Sequence, residues 1–187
     1  MRGERSMKKT VPLIVLLLFM ITGCGPSQQM KSYFGQIKEV DRRLAKNLKE
    51  LNSYAAAINQ SYSSIRSMGF RSPKEITGEL ELTKSALDRI TPPADAQYHQ
   101  RVLSDSIQKA INFSLSLEKL IKVLPLSATP SMASEISACR KQCHDSASRL
   151  RDSLNALAQE RQNLKSNSYG VSPELFEAGG GGSFKTE

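Results

Sequence analysis

A chain of 187 residues with 39% hydrophobic and 24% charged side chains is long enough for one domain with a real core, and too short for several. The formal net charge is +8, but charges of both signs are interspersed along the chain, and no basic stripe is interleaved with aromatics. Nucleic acid is therefore not the expected partner.

The chain opens with Arg2, Arg5, Lys8 and Lys9, an apolar run from Val11 to Ile21, and then Thr22-Gly23-Cys24. Eleven helical residues reach about 16 Å, roughly half of a ~30 Å hydrocarbon core, so the run is a signal and not a span. Met7-Lys8-Lys9 would make a compact start of its own, and translation from Met7 would leave the signal intact. Ile21-Thr22-Gly23-Cys24 resembles the lipobox of bacterial lipoproteins, with isoleucine where leucine is commoner. The resemblance is confined to these first two dozen residues. It implies cleavage between Gly23 and Cys24, lipidation of the Cys24 thiol, including palmitate-type acylation, and attachment of the mature chain to a membrane through that residue. With Gly25 rather than aspartate following, it further implies an outer-membrane position facing the periplasm in an organism with two membranes. In other organisms it implies the outer face of the cell membrane. Two or three acyl chains hold a protein essentially for good, whereas one myristoyl chain is marginal.

Loss of residues 1–23 would remove four basic residues and Glu4, lowering the formal charge from +8 to +5. The expected organisation is then a signal peptide (1–23), a short tether (24–29), a helical bundle domain (30–166) and a flexible tail (167–187). The tail carries a Gly179–Gly182 run and a short apolar piece from Tyr169 to Phe176 that is a candidate cover for unburied seam.

Between tether and tail the patterning is helical. Ile37, Val40, Leu44, Leu48, Leu51, Ala55, Ile58, Tyr62 and Ile65 recur at a mean spacing of 3.5 residues, which predicts a long first helix from about Ser27 to Met68, stopped at Gly69. Ser72-Pro73-Lys74-Glu75 carries the signature of a capping box with proline at the first helical position. The second helix should run to about Ile90 on a face of Ile76, Leu80, Leu87 and Ile90, with Leu82 and Ala86 at its margins. Thr91-Pro92-Pro93 ends it.

A third helix is predicted from about Asp95 to Leu124, striped by His99, Leu103, Ile107, Ala110, Leu117, Leu120 and Leu124 and widened by Phe113 and Ile121. The fourth follows Thr129-Pro130 and runs to about Leu164 along Met132, Ile136, Cys139, Cys143, Ala147, Leu150, Leu154, Leu157 and Leu164. Short connections favour antiparallel neighbours, so the expected fold is an all-α, up-down-up-down bundle of about four helices. The second helix is much shorter than the others. Part of the first or fourth should therefore protrude, bend or be covered.

Cys139-Arg140-Lys141-Gln142-Cys143-His144 is the one constellation that invites chemistry. Four readings compete. Both cysteines fall on the apolar seam, where cysteine packs as a small hydrophobe. A disulfide would suit an exported compartment, but Cβ atoms four apart on a helix lie about 5–6 Å from each other and a disulfide wants about 3.8 Å. Haem attachment would need Cys-x-x-Cys-His, and this motif is one residue longer. A Cu(I) or Zn(II) site on Cys139, Cys143 and His144, or on the thiols with His99, is short of ligands. The helix register sets Cys143 opposite a residue near Phe113 and so about 20 Å from His99.

No Gly-x-Ser-x-Gly, His-Glu-x-x-His or phosphate-binding glycine loop occurs, so neither an enzyme nor a cofactor is expected. His99, close to Pro92 and Pro93, is expected to cap the base of the bundle. Two functions remain. The first is a lipid-anchored binding or scaffold module of the cell envelope, acting on an envelope protein or on another copy of itself through coiled-coil-like seams. The alternative is a redox or metal-handling (Cu, Zn or haem) lipoprotein using Cys139 and Cys143.

Overall fold

The computed structural model describes residues 26–60, 69, 71–126 and 130–167. Four α-helices make up most of them: α1 (Pro26–Gln60), α2 (Pro73–Asp88), α3 (Gln97–Val123) and α4 (Ala133–Asn167). Single 3₁₀ turns at Ala94–Ala96, Leu124–Leu126 and Pro130–Met132 lead into and out of α3 and into α4, and no strand occurs among the described residues. None of these helices is long and apolar enough to cross a membrane.

The start of α2 is the best-specified boundary. The Ser72 hydroxyl accepts from the Glu75 backbone N–H while the Glu75 carboxylate accepts from the Ser72 N–H at 2.7 Å, and Pro73 occupies a first-turn position whose N–H would have no helical partner. At the other end, the Gln100 side-chain amide donates to the carbonyls of Leu87 and Ile90, satisfying acceptors the broken helix leaves open. The third helix starts later than its sequence suggests. Asp95 falls in the 3₁₀ turn and α-helical geometry begins at Gln97, four residues after Pro93.

Cross-helix pairs fix the topology. His99, Ser106 and Ser116 of α3 meet Arg161, Ser153 and Ser146 of α4, so one sequence rises as the other falls. Gln100 and Ser114 of α3 meet Leu87 and Pro73 of α2 in the same antiparallel sense. Tyr33 at the start of α1 meets His99 at the start of α3, so those two run parallel. The bundle is thus up-down-up-down. The α1–α2 connection is held by Arg71, whose guanidinium grips both oxygens of Glu50 and the Asn47 carbonyl, while Tyr54 Oη donates to the Arg71 carbonyl at 2.9 Å.

One continuous core runs through all four helices, with Ile37, Leu51, Ile76, Leu80, Leu87, Leu103, Ile107, Leu117 and Leu150 fully enclosed. Neither long helix stands free: burial runs from Met30 to Ala57 on α1 and from Ile136 to Leu164 on α4. Of the three expected outcomes, protrusion, bending or cover, the described residues show cover. The margins also differ, since Leu82 is 60% exposed whereas Thr77 and Thr83 are buried. Those threonines reach back to the carbonyls of Pro73 and Glu79, which lets a hydroxyl face the core at little cost.

The first helix begins at Pro26, so residues 26 to 29 form helix rather than tether. Residues 61–68, where the first helix was expected to continue, the tail beyond residue 167, and Gly23 and Cys24 with the whole signal lie outside the described residues.

Candidate functional site

At the end of the bundle where α1 and α3 begin and α4 ends, four polar side chains meet inside the core. His99, with no exposed surface, lies between Tyr33 of α1 and Arg161 of α4. Tyr33 Oη is 3.0 Å from His99 Nδ1, Arg161 Nε donates to His99 Nε2 across a long 3.5 Å contact, and Arg161 Nη2 donates to the buried carboxylate of Asp41. With Nε2 accepting, the network assigns the ring proton to Nδ1, which donates to Tyr33 Oη. Phe34 closes the group edge-on, its ring centroid 5.4 Å from that of His99.

Burial sets the ionisation of His99, Tyr33 and Asp41. Desolvation, helped by the Arg161 charge, holds the His99 pKa down to about 3, so the imidazole is neutral throughout the physiological range. Burial, with the Asp41 charge adding to it, raises the Tyr33 phenol far above its ordinary value. Asp41 is also pushed up, because burial outweighs the opposing pull of Arg161. The result is an interhelical clamp. His99 has no solvent contact through which a substrate could reach it, and its partners occupy both ring nitrogens, so the arrangement suits holding helices together rather than moving protons.

His99 therefore does more than cap the base of the bundle: it is enclosed at the centre of a clamp joining α1, α3 and α4. Tyr33, Asp41 and Arg161 had not been singled out, though the sequence carries a signal for two of them. Asp41 sits four residues after Ile37 and three before Leu44, and Arg161 four after Leu157 and three before Leu164. Both are charges on an apolar seam, and opposite ones.

The cysteines lie elsewhere. Cys139 is half-buried, Cys143 is buried, both thiols are free, and His144 is exposed one residue round from the seam. Burial, with a further contribution from Cys139, pushes the Cys143 thiol up to about 11, which keeps it protonated and a poor nucleophile or ligand at neutral pH. The Ser116–Ser146 pair sets Cys143 level with Leu117 to Leu120, a turn beyond the Phe113 register expected from sequence. His99 is then about 30 Å away along the bundle. Among the described residues no three His, Cys, Asp or Glu side chains come together in a group that could hold a metal ion.

Fold and site together define an all-α, up-down-up-down bundle with a buried Tyr-His-Arg-Asp clamp at one end. No protein-family model, curated protein or solved structure matches the chain.

Proposed function

We propose that this chain is a lipid-anchored helical module of the bacterial cell envelope, acting by binding or scaffolding and not by catalysis. The observation that carries the reading is the Ile21-Thr22-Gly23-Cys24 sequence set directly before a helix that begins at Pro26. A bundle so placed is joined to its anchor with almost no slack, and it holds its envelope partner, or a second copy of itself, at a fixed short height. The buried polar groups support a structural role, since Tyr33, Asp41 and His99 of the clamp are buried and Cys143 is protonated.

The test is expression of the full chain in a bacterial host fed a labelled fatty acid. Label is expected on a protein whose first residue is Cys24, recovered with membranes, and a Cys24→Ser chain should carry no label. Unlabelled protein with a free Cys24 thiol would overturn the reading. Crosslinking in intact cells then identifies the partner.

A further inference from the structure

The outward face of α1 carries a line of basic side chains. Lys31, Lys38, Arg42, Lys46 and Lys49 are all exposed, at successive spacings of seven, four, four and three residues. On a helix of 3.6 residues per turn these positions fall within a sector of about 80°, opposite the buried line of Ile37, Leu44 and Leu51, and extend about 27 Å along the axis. Of the five stripe residues only Arg42 is met by a carboxylate of α1, and the four lysines are left unneutralised. Asp41 is buried against Arg161, Glu50 is held by Arg71, and Glu39 is shared by Arg42 and Arg43 at 2.8 Å. Among the described residues none of the four lysines forms an ion pair, as is also true of Lys74 on α2 and Lys119 on α3, but of the first three helices only α1 gathers four such lysines in one narrow sector.

We infer that this face docks on an anionic phospholipid surface and lays the bundle lengthwise along the bilayer. The inference rests on the anchored reading above, because the anchor supplies the bilayer: Lys31 lies seven residues after Cys24, and the stripe runs from there along the helix. An anchored stripe meets headgroups at high effective concentration, so modest attraction per residue, about fivefold in binding for each basic side chain near the surface, is enough to set orientation. A bundle standing upright would carry Lys49 well beyond the ~10 Å over which charge is felt at 0.1 M salt, so engagement of the whole stripe requires α1 to lie flat.

The experiment uses the mature protein isolated from membranes and placed in vesicles of phosphatidylcholine alone or with part of it replaced by phosphatidylglycerol. Surface amines are acetylated briefly and each lysine is quantified by mass spectrometry. Lys31, Lys38, Lys46 and Lys49 should react about fivefold more slowly on the anionic vesicles, an effect removed by high salt, while Lys74 and Lys122 stay unchanged. Equal rates on the two vesicle types overturn the inference, as does protection that appears only when a soluble anionic polymer is added. The same spectra report the mass of the N-terminal peptide, so an unacylated Cys24 is seen directly and separates failure of the anchor from failure of the stripe. If Cys24 is unacylated, binding of that protein to anionic vesicles that the K31Q/K38Q/K46Q/K49Q chain loses still supports the stripe.

Discussion

Tyr33 and His99, 66 positions apart in the chain, meet 3.0 Å apart inside the core and join α1 to the first turn of α3. The ring is neutral in the folded protein and would be protonated readily in the unfolded one, and that difference gives a pH dependence with a definite sign. His99 falls to about 3 on folding from 6.5, so below 6.5 the unfolded chain binds a proton the folded chain refuses. The stability contributed is complete above pH 6.5 and is lost as pH falls from there towards 3, at about 1.4 kcal/mol per pH unit. Urea unfolding between pH 7 and pH 4 should show a loss of stability in this direction, partly offset by Asp41, whose carboxyl is pushed up in the folded protein, and a His99→Gln chain should show a smaller loss. Identical slopes would remove His99 as the cause.

Arg161 and Asp41 are opposite charges in contact, Asp41 buried and Arg161 half-buried, and removal of one leaves the other largely shielded from water without its partner. Asp41→Asn or Arg161→Met should each cost about 3–5 kcal/mol, and the double replacement Asp41→Leu with Arg161→Met should cost much less than the sum. Denaturant midpoints of the three chains measure the coupling. Additive losses would mean that the pair does not act as a unit.

Much of this was legible in the sequence. Heptad-like spacing located the helices, and Ser72 to Glu75 located the start of α2 to the residue, because a capping box is a local device that reads the same in sequence and structure. The clamp was hidden for the opposite reason. Its members come from positions 33, 41, 99 and 161, and only tertiary packing decides that a charge on a seam is met by its complement rather than turned to solvent. The α3–α4 register was off by a turn because the offset of one helix from the next, fixed here by pairs such as Ser116 with Ser146, is not written in periodicity.

Loss of the Ser72 cap should be felt by the whole fold, since α2 is only 16 residues long and depends on its first turn. Ser72→Ala is expected to lower stability by about 1 kcal/mol, and Ser72→Asp, which can still accept from the Glu75 N–H, should recover part of it. Thermal or urea melts suffice to compare the three.

Cys143 should be slow towards thiol reagents in the folded protein. Its pKa of about 11 against an ordinary 9.0 reduces the thiolate at neutral pH about a hundredfold, before any steric shielding. Alkylation followed by peptide mass spectrometry should find half-buried Cys139 modified first and Cys143 only after denaturant is added. Rapid modification of Cys143 in the native state would contradict its burial.

The hydroxyl pairs Ser106–Ser153 and Ser116–Ser146 stand ten positions apart on α3 and seven apart on α4, bonded at 2.9 Å in each case. A leucine seam alone is nearly periodic, so sliding α4 by one turn past α3 would trade one set of apolar contacts for another almost as good. These two rungs remove that near-degeneracy. A slip of about 5.4 Å would break both rungs and part Ser153 from Asp105, leaving Ser106, Ser116 and Ser146 only their bonds to carbonyls of their own helix, so the bundle has one alignment in which its seams and its polar rungs are satisfied together.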